Sequence, residues 1–461
     1  MRSLSFDIGT SKICAMVFDG ESGNILETLH SGNPFINGGR SWERIQDGEA
    51  VFRIVKDMQE TLTRKYAPIN CMGISAQMHG ILYVNSKGRA VSPLYTWQDG
   101  SGALPFRDGK TFTQYLNGLA SKNKSRRYIL ASGYGLVTHF YHLSAGTMPE
   151  GASKLCTMGD YAAMRLCGEV RPVMHATNAC GLGFFDPREM RFDYETLEAA
   201  GIDPSILPPM VKDFETAGEA AGIPAAAATG DNQAAFLGSM RPSGRGVLIN
   251  IGTGGQISFT GEISDGAPAL EQRPYFEGKP FYSGASLCGG KAYAVLEEFF
   301  RAVLRMAGLP ADTPLYAAMD AALSEAPEAG PLLVGTLFEG SRRDPLSGGW
   351  IKNISCNNFT PPALIRGFLE GIAGELYDML PPGFSFGFLA GSGNGIRRNP
   401  HLRRIIEKKF GLPLMTPLYE EEAAFGAALY ALISSGHFRG TAEASSLIKY
   451  RGGNEAAETS P

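Results

Sequence analysis

Short apolar runs separated by glycine turns open the chain. Leu4 to Ile8 and Ile13 to Asp19 flank Gly9-Thr10-Ser11-Lys12, and a turn at Gly20 to Gly23 leads to a third run, Ile25 to His30. Such runs predict three strands of a meander. Val51, Ile54, Val55, Met58 and Leu62 then recur at helical spacing behind Asp47, a residue suited to cap a helix. Cys71 to Ser75 reads as the next strand. The hairpin pattern returns in the second half, where Val247 to Ile251 and Gln256 to Thr260 enclose Gly252-Thr253-Gly254-Gly255. Strands alternating with helices predict layered α/β architecture.

Between the two hairpins, Asp160 to Cys167 reads as a helix and the stretch to Asp186 as loop. Ala225 to Thr229 leads into Gly230-Asp231-Asn232-Gln233, with a helix starting at Ala234 to Leu237. The polar junction Arg241 to Gly246 suggests a boundary between an N-terminal domain, 1–243, and a C-terminal domain, 244–440. Helices are expected around Ala292 to Met306, Leu315 to Leu323 and Pro362 to Leu380. A strand at Gly387 to Ala390, the loop Gly391-Ser392-Gly393-Asn394-Gly395, a helix from Pro400 and a last helix at Glu421 to Ser434 complete the pattern. Residues 441–461 are polar and read as a flexible tail. A repeat of this length predicts a duplicated domain with a cleft between the halves, where ligands commonly bind.

Composition narrows the class. The 461 residues are 44% hydrophobic and 19% charged, enough for two domains with their own cores. Forty-two basic against forty-six acidic residues give a net charge of -4, and no long basic run suggests nucleic acid. Seven cysteines are scattered without a Cys-x-x-Cys pair, so neither a disulfide framework nor a zinc site is expected. No apolar stretch reaches the ~20 residues of a membrane helix. Asp7 follows the first methionine too closely for a signal peptide. The expectation is a cytoplasmic protein, monomer or homodimer, acting on small molecules without a nucleic-acid or membrane partner.

Several residues could carry chemistry. A glycine turn lets backbone approach an anion, and Thr10, Ser11, Thr253 and Lys12 could reach phosphate or serve only the turns. Asp7, at a strand end beside such a turn, is either a turn aspartate or a carboxylate joined to phosphates through a cation; Mg2+ held through water meets that need. Gln77 and His79, flanking Met78 after a predicted strand, are polar groups where open α/β sheets bind ligands. Trp97 offers a face for a sugar and Asp99 an acceptor for its hydroxyls, or both serve the local fold. Asp231 is a helix N-cap or a general base that takes a hydroxyl proton. Gly391 to Asn394 can let backbone pack against a nucleoside or its phosphate.

Five motifs stand in one order: Asp7-Ile8-Gly9-Thr10-Ser11, Gln77-Met78-His79-Gly80, Gly230-Asp231-Asn232, Ile251-Gly252-Thr253-Gly254 and Gly391-Ser392-Gly393. In this order they resemble the FGGY carbohydrate kinases of the actin and hexokinase superfamily, along nearly the whole chain. The helix Glu422 to Ala428 resembles the family's closing element. The resemblance implies duplicated actin-like, ribonuclease H-like ATPase domains with a catalytic cleft between them. It also implies ATP bound as its Mg2+ complex, Asp231 as catalytic base and Asp7 organising metal and phosphates. Gln77, Met78, His79, Trp97, Asp99 and Asn232 would face the sugar. Thr10, Ser11, Lys12, Gly252, Thr253, Gly254, Gly391, Ser392, Gly393 and Asn394 would face the nucleotide. Thr96 to Gly100, the stretch Asp160 to Gly168 with Arg171 to Met174, and Ser392 to Asn394 followed by Arg398-Asn399-Pro400 resemble the family's kinases of sedoheptulose. A ketose is thus the implied substrate, with xylulose or ribulose as alternatives. Many members carry Lys or Arg where this chain has Cys14; Lys12, two residues earlier, would share its strand face. A catalytically silent sugar or nucleotide sensor on the same fold is the contrasting class, against which the Asp7 and Asp231 pair argues.

Overall fold

A computed structural model describes residues 1–122, 128–241, 245–263, 269–325, 332–340 and 347–451. The chain forms two units. The first comprises Met1–Pro242, Gln272–Phe281 and Glu421–Ile448; the second comprises Ser243–Glu271, Tyr282–Glu420 and Lys449–Pro461. The division therefore differs from two consecutive halves, because two later segments return to the first unit. Residues 242–244 of the expected junction lie outside the described residues.

The strands of the two large sheets are numbered here in chain order. In the first unit they are β1 (Arg2–Ile8), β2 (Lys12–Asp19), β3 (Asn24–Gly32), β4 (Cys71–Ala76), β5 (Thr216–Ala220), β6 (Ile223–Ala226) and β7 (Thr229–Gly230). Their order is β5-β6-β4-β1-β2-β3, with β7 paired to β4. The central strand β1 is buried on both faces. Leu4, Phe6 and Ile8 join Val51, Val55 and Leu62 of the helix Gly48–Tyr66 in one core. On the opposite face Ser3 Oγ donates to the Ala428 carbonyl of the helix Glu422–Ser434, 3.3 Å away. Asp47 caps the first of these helices by accepting from the Glu49 and Ala50 amides. The second packs against the short helix Asp231–Leu237 at glycines. A Cβ on Gly426 would stand 1.8 Å from the Ala234 carbonyl oxygen, so backbones touch where a side chain would separate them.

The stretch expected as loop up to Asp186 contains the helix Ala176–Leu182. Thr177 and Asn178 are buried polar residues there, so no apolar stripe advertises it.

In the other large sheet the strands are β8 (Gly246–Ile251), β9 (Gly255–Thr260), β10 (Glu271–Pro274), β11 (Pro280–Ser286), β12 (Phe388–Ser392), β13 (Leu414–Pro417) and β14 (Tyr450–Arg451), in the order β10-β11-β9-β8-β12-β13-β14. Ile249, Ile257 and Phe259 build a core with Leu369, Ile372 and Leu376 of the helix Pro361–Tyr377. Beyond 440, where a flexible tail is expected, Thr441–Ala444 is helical and Tyr450–Arg451 pairs with β13, because the last strand closes a sheet edge. Residues 452–461 lie outside the described residues. The seven cysteines are unpaired.

Candidate active site

The first hairpin is held by side chains. Gly9 and Thr10 at its turn present carbonyls that β pairing leaves open. Asn33 Nδ2 donates to the Gly9 carbonyl at 2.7 Å, and Gln46 Nε2 donates to the Thr10 carbonyl at 2.7 Å. The Gln46 oxygen in turn accepts from Gln77 Nε2 at 2.9 Å, and Gln77 Oε1 accepts from the Thr10 hydroxyl at 3.2 Å. Trp97 Nε1 donates to that same hydroxyl at 2.9 Å, leaving the indole partly exposed. Thr10, Gln77 and Trp97, far apart in sequence, thus form one network. In it the Thr10 hydroxyl is engaged by protein. Gln46, fully buried at its centre, was not singled out by the sequence. Its only signal was an amide just before a helix cap.

Asp7 sits one residue from the end of β1. It pairs in register with Ser75 of β4 and Cys14 of β2. Ser75 Oγ donates to Asp7 Oδ1 at 3.0 Å. Burial and the nearby negative charges of Asp231 and Glu421 push the Asp7 carboxyl up to about 7, against the lowering effect of Ser75 and Lys12. Lys12 does not stand free: its ammonium bridges both oxygens of Glu421, at 2.7 and 2.9 Å. Ser11 is exposed beside it.

Asp231 is the first residue of its helix, and Gly230 is the N-cap. The alternative of Asp231 as an N-cap therefore does not hold. Burial pushes its carboxyl up to about 6, opposed by its helix's first amides and by the Arg273 guanidinium. Gly230 is tied from behind, its amide donating to Thr177 Oγ1 at 3.1 Å. The neighbouring Asn232 amide points at the Met78 sulfur, 3.5 Å away, and Arg273 Nη1 lies 3.8 Å from that sulfur. Arg273 is another residue the sequence did not flag, since no motif surrounds it.

His79 has φ of 74°, a left-handed backbone that is costly for a non-glycine residue. Its Nδ1 donates to the Gly181 carbonyl at 2.8 Å, so the neutral ring carries its lone pair on Nε2. The ring stacks on Tyr134 with centroids 4.5 Å apart and planes 10° apart. The imidazole is thereby fixed in tautomer and orientation. Asp99 is buried. Its Oδ1 accepts from the Ser101 amide at 3.0 Å while Oδ2 has no protein partner, and burial raises its carboxyl.

In the second unit, Gly252, Thr253 and Gly254 form the turn between β8 and β9. The Gly290 and Lys291 amides, at the start of the helix Gly289–Met306, donate to the Gly252 and Thr253 carbonyls at 3.0 and 2.9 Å. Asn250 pairs in register with Ser392 of β12, and its amide donates to Ser392 Oγ at 2.7 Å. Gly391 and Ser392 end β12. Gly393 follows with φ of 84°, packed so closely that a Cβ would stand 2.5 Å from the Ile251 carbonyl oxygen. Asn394 opens the short helix Asn394–Arg398.

These hairpins, with a carboxylate in the first and bare glycine turns in the second, belong to a phosphotransferase architecture, and comparison with known proteins names it. Residues 3–238 match the N-terminal domain of the FGGY family of carbohydrate kinases. The chain belongs to that family and is an ATP-dependent sugar kinase of mixed α/β, actin-like fold. It is 27% identical to the sedoheptulokinase of Mus musculus over 427 residues, covering 84% of this chain and 87% of that one. It is 28% identical to the xylulose kinase of Streptomyces coelicolor over 264 residues, covering 54% and 52%. A crystal structure of Plasmodium falciparum glycerol kinase with ADP superposes with a TM-score of 0.78 at 16% identity, covering 97% of this chain and 92% of that one. Among the described residues no helix is long and apolar enough to cross a membrane.

Proposed function

We propose that this kinase transfers the γ-phosphoryl group of ATP to the primary hydroxyl of sedoheptulose, giving sedoheptulose 7-phosphate, with Asp231 as general base. The reading is carried by the buried Asp7 carboxyl feeling the Asp231 charge, with Asn232 next to it against Met78. Proton removal by a carboxylate held near pH 6 suits a base working at neutral pH, since it is ionised there yet accepts a proton readily. Asp231 orients and deprotonates the hydroxyl, and the Arg273 guanidinium offsets its negative charge. Gln77, Met78, His79, Trp97, Asp99 and Asn232 hold the sugar. The rigid His79 ring supplies a defined acceptor. In the second unit we assign Gly252, Thr253, Gly254, Gly391, Ser392, Gly393 and Asn394 to the nucleotide; in the first, Thr10, Ser11 and Lys12 to its phosphates.

Asp7 feels two other carboxylates against one ammonium, a surplus of oxygen donors and negative charge that fits a hard divalent cation. Asp7 would hold Mg2+ through water, and the ion would neutralise phosphate charge. This follows the positioning logic of phosphoryl transfer, in which the protein chiefly aligns groups and offsets charge.

The similarity to the sedoheptulokinase covers most of both chains and supports sedoheptulose. A pentose reading, xylulose or ribulose, draws on the xylulose kinase similarity, which covers about half of each chain. Ranking kcat/KM for the three ketoses separates them. The base assignment is tested by Asp231→Asn, expected to bind sugar normally while kcat falls by about a hundredfold to ten-thousandfold. In the wild type, kcat/KM should fall as pH drops through about 6, because the protonated carboxyl cannot accept the hydroxyl proton. Near-normal turnover in Asp231→Asn would remove the residue from this role.

A further inference from the structure

The register of the first sheet sets unlike side chains in one row. Cys14 of β2 lies directly across from Asp7 of β1 on one side and from His30 of β3 on the other. Glu421, just ahead of the helix Glu422–Ser434, reaches the same place. The Cys14 sulfur, a ring nitrogen of His30 and a carboxylate oxygen of Glu421 all lie within 4.8 Å of one another, and His30 Nε2 is 4.0 Å from Glu421 Oε1. Three unlike donors converge here from two strands and a helix start, with no spacing in the sequence to announce them.

We propose that Cys14, His30 and Glu421 bind a thiophilic divalent cation of the Zn2+ class, and that binding releases Lys12 from Glu421. The donor set decides the cation. A thiolate and an imidazole favour Zn2+ over Mg2+ or Ca2+, which prefer oxygen. Ligand atoms about 2.0–2.3 Å from zinc stand roughly 3.3–3.8 Å apart, so the cluster must contract by about 1 Å. His30 is 47% exposed at the side chain, which leaves its ring room to turn and gives the ion a route in. A water can complete a tetrahedron. On binding, the Cys14 S–H bond breaks, the proton leaves to solvent and a sulfur–metal bond forms, with no change in oxidation state. Because the ligand is the thiolate, occupancy rises with pH. Glu421 cannot keep both oxygens on Lys12 and also ligate the metal. The ion therefore competes with the ammonium, next to Asp7. Resting on the function proposed above, a second divalent charge across from Asp7 opposes the Mg2+ assigned there and makes the cation an inhibitor of phosphoryl transfer.

Cobalt(II) is the probe, added to the full chain in Mg2+-containing buffer without sugar or ATP. One equivalent should produce a sulfur-to-cobalt charge-transfer band and release one proton. Cys14→Ser should abolish the band, and both Cys14→Ser and His30→Ala should weaken Zn2+ binding about tenfold or more. Lys12→Met should tighten it severalfold. His30→Ala, a half-exposed change, should fold and turn over normally without Zn2+ but need about tenfold more Zn2+ for inhibition. Absence of the band, or equal Zn2+ affinity in wild type, Cys14→Ser and His30→Ala, would overturn the site. Equal inhibition of wild type and His30→Ala would overturn its regulatory part. A failed kinase reading would remove the activity measurements and leave the cobalt spectrum standing.

Discussion

The two hairpins share a backbone plan and differ in what holds it. In each, a residue one short of the strand end pairs in parallel register with a serine, Asp7 with Ser75 and Asn250 with Ser392. In the first the serine hydroxyl donates to a carboxylate; in the second it accepts from an amide. In each, two turn carbonyls need donors. The first turn takes them from the side chains of Asn33 and Gln46, the second from main-chain amides of Gly290 and Lys291. After the matching serine, the first unit runs on into the polar side chains Gln77 and His79, the second into Gly393 and Asn394. One plan thus yields a side-chain-rich site with a buried charge and a backbone-lined site without one.

The largest expected effect comes from erasing the charge that separates the two. Asp7→Asn should lower kcat about a hundredfold or more, measured by coupled ADP release. It should also stabilise the fold at pH 8, by on the order of 1–3 kcal/mol in denaturant melts. The sign follows from a folded carboxyl at about 7 against an ordinary 3.8. Ionisation disfavours the folded state, so the penalty is absent below pH 4, grows as pH rises through that window and is complete above 7. Unchanged turnover in Asp7→Asn would make the charge incidental to catalysis. Next, Gly290→Ala should cost about 2–4 kcal/mol, because its Cβ would stand 2.4 Å from the Gly252 carbonyl oxygen. An unchanged unfolding midpoint would mean that this contact yields easily. Gln46→Leu should cost about 1–3 kcal/mol by stranding the Thr10 and Asn33 carbonyls and the Gln77 amide. It should raise the KM for sugar more than it lowers kcat, since Gln77 loses its anchor. A fall confined to kcat would show that Gln46 supports the reacting groups rather than the sugar.

Much of the fold was legible because local rules set it. The glycine turns, the Asp47 cap and the face Val51, Val55, Met58 and Leu62 are each readable within a few residues. The helix Ala176–Leu182 was not, because buried Thr177 and Asn178 stabilise it through tertiary hydrogen bonds, including Asn178 to the Ala228 carbonyl at 3.1 Å. Gln46, Arg273 and Glu421 were missed for the same reason: each acts on residues remote in sequence. The scattered cysteines argued against a metal site, yet strand register sets Cys14 beside His30.

The order of strands, turns and motifs, and with it the kinase family, is fixed by composition and short-range pattern, since glycine, aspartate and apolar periodicity act within a turn or two. Which segments return to the first unit, which carboxylates face Asp7, and where Lys12 rests were decided only by tertiary structure. Those outcomes depend on sheet register and helix docking, which bring together side chains that share no sequence neighbourhood.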